Sequence, residues 1–290
     1  MIKTLAEIIR DAAARKVAVG HFNISDLVAF KAITEAAQEL SVPVIIGTSE
    51  SEAHFVDRKE ITAMVKALRE ESGVPVFLNS DHTHAFEEVK AAVEAGYDAV
   101  LFDAGKLPLE ENIRKTKEAV EYIKSKNPAI LVEGEIGYIG SSSQILQEIP
   151  AGAAMRPEDL TTPEQAAYFV RETGVDLLAP AVGNIHGMIG VGKDPDLDIA
   201  RIAAIRGAAG VPLVLHGGSG NTDADFLAAI NAGVAIIHIN TEIRVAWREG
   251  MERGLHNHPQ EIAPYKILPE AVEAVKGVVR ERLKLFNKLI

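Results

Sequence analysis

The chain has 290 residues, 47% of them hydrophobic and 24% charged, with a formal net charge of -11 and no cysteine. That content is too apolar for a disordered chain, and the acidic balance argues against a nucleic-acid partner, although backbone amides can still hold a phosphate locally. The missing cysteines exclude disulfides, thiolate metal sites and cysteine nucleophiles.

The N-terminal stretch MIKTLAEIIRDAAARK is amphipathic and lacks the apolar centre of a signal peptide. No run reaches the ~20 apolar residues of a membrane span. A cytoplasmic location and no membrane partner are therefore expected. Beyond this stretch, apolar, β-branched runs alternate repeatedly with helical stretches. The runs are residues 17–22, 42–48, 74–80, 97–103, 129–135, 175–182, 211–217 and 234–240. Their continuous apolarity suits strands buried on both faces of a parallel sheet. Helices are predicted between them, for example over 26–40, 86–96 and 163–174, where apolar residues recur at spacings of three and four and a glycine or short turn comes next. Pro43, Pro75 and Pro212 stand at strand starts, where proline is tolerated.

Eight such units in this length predict one α/β domain over residues 1–290, a (β/α)₈ (TIM) barrel with an additional C-terminal helical segment. GHFNIS after the first run is not the glycine fingerprint of a dinucleotide-binding sheet. Residues 136–162 and 183–195 break the rhythm as long connections, and loops of that length in a compact domain usually carry function.

Active sites of such barrels lie at the C-terminal ends of the strands. The residues just past the runs are Asn23, Ser49, Asp81, His82, Asp103, Glu135, His186, His216 and Asn240. Three histidines from three strands point to a metal, since three imidazoles with an open position make a catalytic zinc site, and iron, cobalt or nickel also suit imidazole. Asp81 beside His82 is a general acid/base or, alternatively, a carboxylate orienting its neighbour. HGGSG (216–220) and Asn240–Thr241 come after the seventh and eighth runs, where such barrels hold phosphate; Ser219 and Thr241 add hydroxyl donors. His54, His256 and His258 read as surface residues, and His84 as a loop residue bonding backbone.

Six segments, in order, resemble the class II, metal-dependent fructose- and tagatose-bisphosphate aldolases: GHFN (20–23), PVIIGTS (43–49), SDHTH (80–84), VEGEIG (132–137), GNIHG (183–187) and LHGGSG (215–220). The resemblance implies His82, His186 and His216 as ligands of a divalent metal, usually zinc, with Glu135 as an alternate ligand and a monovalent cation as a further candidate. It implies Asp81 as the group exchanging the proton of the carbon-4 hydroxyl. Gly187, Gly217, Ser219, Asn240 and Thr241 would hold the phosphate of dihydroxyacetone phosphate, with Asn23 and Ser49 at the substrate. A homodimer or homotetramer is expected, and helix 271–290 could cover a partner or its own barrel.

The sequence departs from the pattern in four places. The acidic lid after strand five reads GYIGSSSQILQEIP, leaving Glu148 as the nearest second acid. His238 stands where many members have asparagine. The lysine after the second ligand histidine is displaced to Lys193, and APYKI (263–267) replaces an arginine-bearing segment, leaving Lys266 for a second phosphate. Competing readings are an aldolase for tagatose bisphosphate or another phosphorylated ketose, a metal-dependent sugar-phosphate epimerase using Asp81 and Asp103, and a non-catalytic sugar-phosphate-binding protein. No strand carries a lysine for iminium chemistry; Lys106, just past the fourth run, reads as a solvated loop residue.

Overall fold

A computed structural model describes residues 3–141, 143–190 and 194–289. Its strands are β1 (Val19–Asn23), β2 (Val44–Thr48), β3 (Val76–Thr83), β4 (Ala99–Phe102), β5 (Leu131–Ile136), β6 (Ile145–Leu146), β7 (Leu177–Pro180), β8 (Met188–Ile189), β9 (Leu213–Leu215) and β10 (Val234–Ile239). Its helices are α1 (Leu5–Arg15), α2 (Leu27–Leu40), α3 (Glu50–Val56), α4 (Arg58–Ser72), α5 (Phe86–Ala95), α6 (Leu109–Lys126), α7 (Pro163–Thr173), α8 (Ile199–Ala209), α9 (Asp223–Ala232), α10 (Thr241–Asn257), α11 (Pro264–Ile267) and α12 (Pro269–Phe286). None of the described helices is long and apolar enough to cross a membrane.

Every predicted run supplies a barrel strand. The strands close in the order β1-β10-β9-β7-β5-β4-β3-β2, with parallel pairing throughout. Closure satisfies every strand edge, and the period of two sorts side chains between two cores. Outward residues such as Phe22, Ile46, Leu78 and Ile237 pack under the surrounding helices. Inward residues near the strand starts, including Val19, Ile45, Phe77, Leu131, Leu177 and Ile236, form a second core. The apolar stripe of α1 (Leu5, Ile8, Ile9, Ala12) seals that end of the barrel. The amphipathic N-terminal stretch is thus the barrel's floor.

Above this floor the interior turns polar. Residues one or two steps further along the same inward faces are His21, Asn79, Asp81, Glu133, Glu135, His216 and His238, all buried. Polar groups at this depth are costly unless paired with one another or with a bound ion. Apolar floor, polar mouth: that gradient places the site.

The C-terminal segment covers its own barrel. Helix α12 packs on β1 and is flanked by α2, α9 and α10. Val275, Val279, Leu283 and Phe286 are fully buried in the outer core. Gly20 permits this contact, because a Cβ there would come within 2.9 Å of Leu283. From the same helix, Arg282 donates to both carboxylate oxygens of Glu242 at the start of α10, each at 2.8 Å. The last helix therefore also buttresses the mouth.

The two long connections are joined. Ile145–Leu146 pairs in parallel with Met188–Ile189, and the His186 amide donates to the Ile139 carbonyl at 2.8 Å. Gly187, at φ +102, is required here: a Cβ would meet the Gln144 carbonyl at 2.8 Å and the Leu146 side chain at 2.7 Å.

Candidate metal centre and active site

Asp81 and His82 are consecutive in β3, so a regular strand would turn them to opposite faces. The ladder between β3 and β4 slips at this point. Ser80 pairs with Val100 but Thr83 with Phe102, so β3 carries one extra residue. His82 takes φ +45, a left-handed conformation that costs a non-glycine residue of order 1 kcal/mol or more. The bulge lets both side chains reach the mouth, and both line its cavity.

Four side chains converge there. One ligand atom from each of His82, Glu135, His186 and His216 lies within 4.8 Å of the other three. The buried atoms lacking any hydrogen-bond partner include His82 Nε2, His186 Nε2, His216 Nδ1 and Glu135 Oε2. The opposite nitrogens are tied back: His82 Nδ1 lies 2.8 Å from Asp103 Oδ2, and His216 Nε2 lies 2.7 Å from Glu133 Oε1. Carboxylates that take the N–H of one ring nitrogen leave the other nitrogen's lone pair available, which is how metal-binding imidazoles are oriented. Four unpartnered donors around one point, with imidazole in the majority, fit a divalent transition metal.

The electrostatics agree. Burial opposes a charge on His82, but Asp81, the Asp103 hydrogen bond and Glu135 outweigh it and carry its pKa up to about 10. Burial pushes His186 well below the ordinary imidazole range, with His82 adding to the effect. Burial raises Glu135 well above the usual carboxylate range, and Asp103 adds to the rise. The carboxylates thus demand positive charge at this point, which a cation would supply.

Asp81 is buried beside this cluster. Burial pushes its pKa up, but His82, the His238 contact and His21 outweigh that and hold it well below its usual value. Its Oδ2 accepts from Asn23 Nδ2 at 2.9 Å, while Oδ1 has no hydrogen-bond partner and lies 3.4 Å from His238 Nδ1. His238 both lines the cavity and stacks on His21, with ring centroids 3.4 Å apart and planes at 7°. His21, Asp81 and His238 also bring one potential ligand atom each within 4.8 Å of one another, beside the first cluster. Burial holds the pKa of His21 down at about 4, which keeps that ring neutral.

The seven residues predicted at the substrate, Asn23, Ser49, Gly187, Gly217, Ser219, Asn240 and Thr241, line one cavity of about 330 Å³ with Asp81, His82, His186 and His216. Asn240 caps the 17-residue helix α10, Thr241 opens it, and Ser219 Oγ accepts from the Glu242 amide at 3.3 Å. A helix N-terminus beside a glycine loop favours an anion. Gly217 has φ +59, and a Cβ there would come within 2.0 Å of the Ile185 carbonyl, so the HGGSG turn demands glycine.

Other expectations sort less uniformly. Glu148 is exposed and does not line the cavity, so the nearest acid in the loop is not placed as a second acid/base. Lys266 is exposed and paired with Glu261 at 2.8 Å, again away from the cavity. Lys193 lies outside the described residues. Asp103 is committed to His82 Nδ1 and the Gly105 amide, which removes it as the second acid of an epimerase. His84 Nδ1 meets the Asp103 carbonyl at 3.1 Å, as its backbone-bonding reading required; His54, His256 and His258 are exposed. Lys106 is exposed and rests on the Tyr138 ring.

Three contributors went unread in the sequence. Glu133 stands two residues before Glu135, on the same inward face, and period two could have found it. Arg244 reaches the rim from α10 and bonds there to the buried Glu52 of α3. Glu133→Gln and Asp103→Asn are expected to weaken metal affinity by about 10–100-fold while the barrel stays folded. Competition against a chelator measures this, and unchanged affinity in both variants would remove the two carboxylates from the metal's support.

Residues 3–289 match the family model for class II fructose-bisphosphate aldolase. The chain is 36% identical over 287 residues to a fructose-bisphosphate aldolase of Geobacillus stearothermophilus, covering 98% of this chain and 96% of that one. A fructose-bisphosphate aldolase of Staphylococcus aureus (strain Mu50) is 35% identical with the same coverage. Among solved structures, the YdjI aldolase of Escherichia coli K12 superposes with a TM-score of 0.82 at 31% identity, over 99% of this chain and 97% of that one. A full-length family match, close relatives and a barrel mouth built for a metal agree: the chain belongs to the class II fructose-bisphosphate aldolases, metal-dependent carbon–carbon lyases acting on phosphorylated sugars.

Proposed function

We propose that this enzyme, acting as one catalytic domain, reversibly cleaves fructose 1,6-bisphosphate into dihydroxyacetone phosphate and glyceraldehyde 3-phosphate, with zinc as its metal. The observation that carries the reading is the adjacency of three features: the four unpartnered ligand atoms, the ionised Asp81, and the helix-and-glycine cradle of α10 and HGGSG.

His82, His186 and His216 would hold the metal, with Glu135 as an alternate ligand. A divalent ion there supplies a Lewis acid for the ketone and neighbouring hydroxyl oxygens, and the positive charge that otherwise resides on His82. The cradle of Gly187, Gly217, Ser219, Asn240 and Thr241 takes the phosphate of the dihydroxyacetone half and sets the sugar's register. Asn23 and Ser49 line the same cavity. Asp81, ionised at neutral pH, accepts the proton of the carbon-4 hydroxyl as the bond between carbons 3 and 4 breaks. The electron pair of that bond passes to the dihydroxyacetone half as the aldehyde departs, and a proton from solvent then adds at carbon 3 to give dihydroxyacetone phosphate. In the condensation direction Asp81 returns the proton.

Purified enzyme is expected to cleave fructose 1,6-bisphosphate faster than tagatose 1,6-bisphosphate or fructose 1-phosphate, read as triose phosphate released. Asp81→Ala should bind metal and substrate yet lose about 10²–10⁴ in cleavage rate. A preference for either other ketose would reassign the substrate, and near-normal cleavage by the variant would remove Asp81 from the chemistry. We further infer a homodimer or homotetramer, supported by the exposed apolar side chains of Leu27, Ile262 and Tyr265, 65%, 91% and 74% accessible. Analytical ultracentrifugation should give two or four chains; a monomer at micromolar concentration would refute the assembly.

A further inference from the structure

Glu52 is the third residue of α3, and its carboxylate turns back to the helix start. Oε2 accepts from the Ser49 amide at 2.9 Å and the Ser49 hydroxyl at 2.8 Å. An acid at this position commonly caps its own helix at the surface. This one does more. It is buried, at 6% exposure, and Oε2 also accepts from Asn23 Nδ2 at 2.8 Å. Its other oxygen, Oε1, accepts from Arg244 Nη2 at 2.6 Å, and Arg244 donates in turn to the Ser143 carbonyl. A buried carboxyl group met by four donors, one of them a guanidinium, is held in a single orientation.

The consequence lies one residue further on. Asn23 Nδ2 donates to Glu52 and to Asp81 Oδ2, at 2.8 and 2.9 Å. Both partners are carboxylates, which only accept, so the amide nitrogen must face them and both of its hydrogens are used. Asn23 cannot flip without setting its own oxygen against a carboxylate. Asp81 Oδ2 is thereby fixed, and with Oδ1 held 3.4 Å from His238 Nδ1 the whole carboxyl group of this cavity-lining residue keeps one orientation. Without Glu52, one amide hydrogen is free and the terminal torsion of Asn23 is soft.

We propose that Glu52 is a positioning residue for Asp81, acting through the Asn23 amide and held in place by Arg244. The proposal rests on Asp81 being the acid/base at the carbon-4 hydroxyl. It predicts an effect on one chemical step alone. Cleavage of fructose 1,6-bisphosphate requires that proton transfer, whereas exchange of solvent deuterium into dihydroxyacetone phosphate involves no carbon-4 hydroxyl.

The test compares zinc-loaded, full-length wild type, Glu52→Ala and Glu52→Gln in both reactions, with bound metal measured by elemental analysis. Glu52→Ala should cleave about 10–100-fold more slowly, with deuterium exchange within about twofold of wild type and metal content unchanged. Glu52→Gln should recover only part of the loss, because its amide oxygen can still accept from Asn23 and Ser49 at the Oε2 position while its NH2 replaces the oxygen that accepted from Arg244. In an Asn23→Ala background the Glu52→Ala change should have no further effect on cleavage, as residues acting through one another are non-additive. Should Glu52→Ala fail to fold, Glu52→Asp, which draws the carboxyl group back from Asn23 by one methylene, should likewise slow cleavage more than exchange, and an equal effect on both would overturn the proposal. Unchanged cleavage in Glu52→Ala, or cleavage and exchange falling together, would overturn the proposal. Wild type that exchanges deuterium but cleaves no ketose bisphosphate would instead defeat the underlying acid/base reading.

Discussion

Two imidazole–carboxylate hydrogen bonds inside the barrel, His82 with Asp103 and His216 with Glu133, decide which ring nitrogens face the mouth. They orient two of the three imidazoles of the metal centre. An imidazole free to rotate would present either nitrogen, and a cluster of three would seldom converge. Both carboxylates come from the barrel's own strands or their ends, so the closed sheet positions both ligand and support. The arrangement gathers four carboxyl groups, those of Asp81, Asp103, Glu133 and Glu135, around three imidazoles. Acidic groups crowded in this way are unfavourable in a protein core and suitable for a cation.

The rest of the molecule maintains that polar mouth. Helix α1 seals the floor with apolar side chains, keeping water out from below. Helix α12 covers the β1 side and, through Arg282 and Glu242, braces the start of α10 where the anion cradle begins. Glu242 Oε1 also accepts from the Gly220 amide at 3.2 Å, tying the glycine loop to the same helix. Pairing between β6 and β8 joins the two long connections where His186 enters the site. Loops that carry ligands are thus held by regular structure, as preorganised sites require.

The barrel was legible because each buried strand announced itself as a continuous apolar run, and strand ends in such a barrel share one mouth. The histidines, Asp81 and the glycine loop could be found from position alone. What stayed hidden depends on geometry that spacing does not record. A strict strand period sets Asp81 and His82 on opposite faces, and only the bulge and the left-handed turn at His82 bring them together. Glu52 lies 29 positions from Asn23, and Arg244 lies 192 from Glu52, so no local pattern links them. Lys266 is chemically suited to a phosphate, yet α11 carries it to the surface beside Glu261.

Whether the convergent imidazoles hold a metal on which carbon–carbon cleavage depends is tested most directly by stripping and restoring that metal. Fructose 1,6-bisphosphate cleavage would be followed in enzyme treated with a chelator until elemental analysis shows less than about one-tenth of the metal remaining, a threshold matched to an expected loss of about tenfold, and again after zinc is added back. Activity should fall in proportion to metal content and return with zinc. Full activity in protein shown to be metal-free would contradict a metal-dependent mechanism at this site.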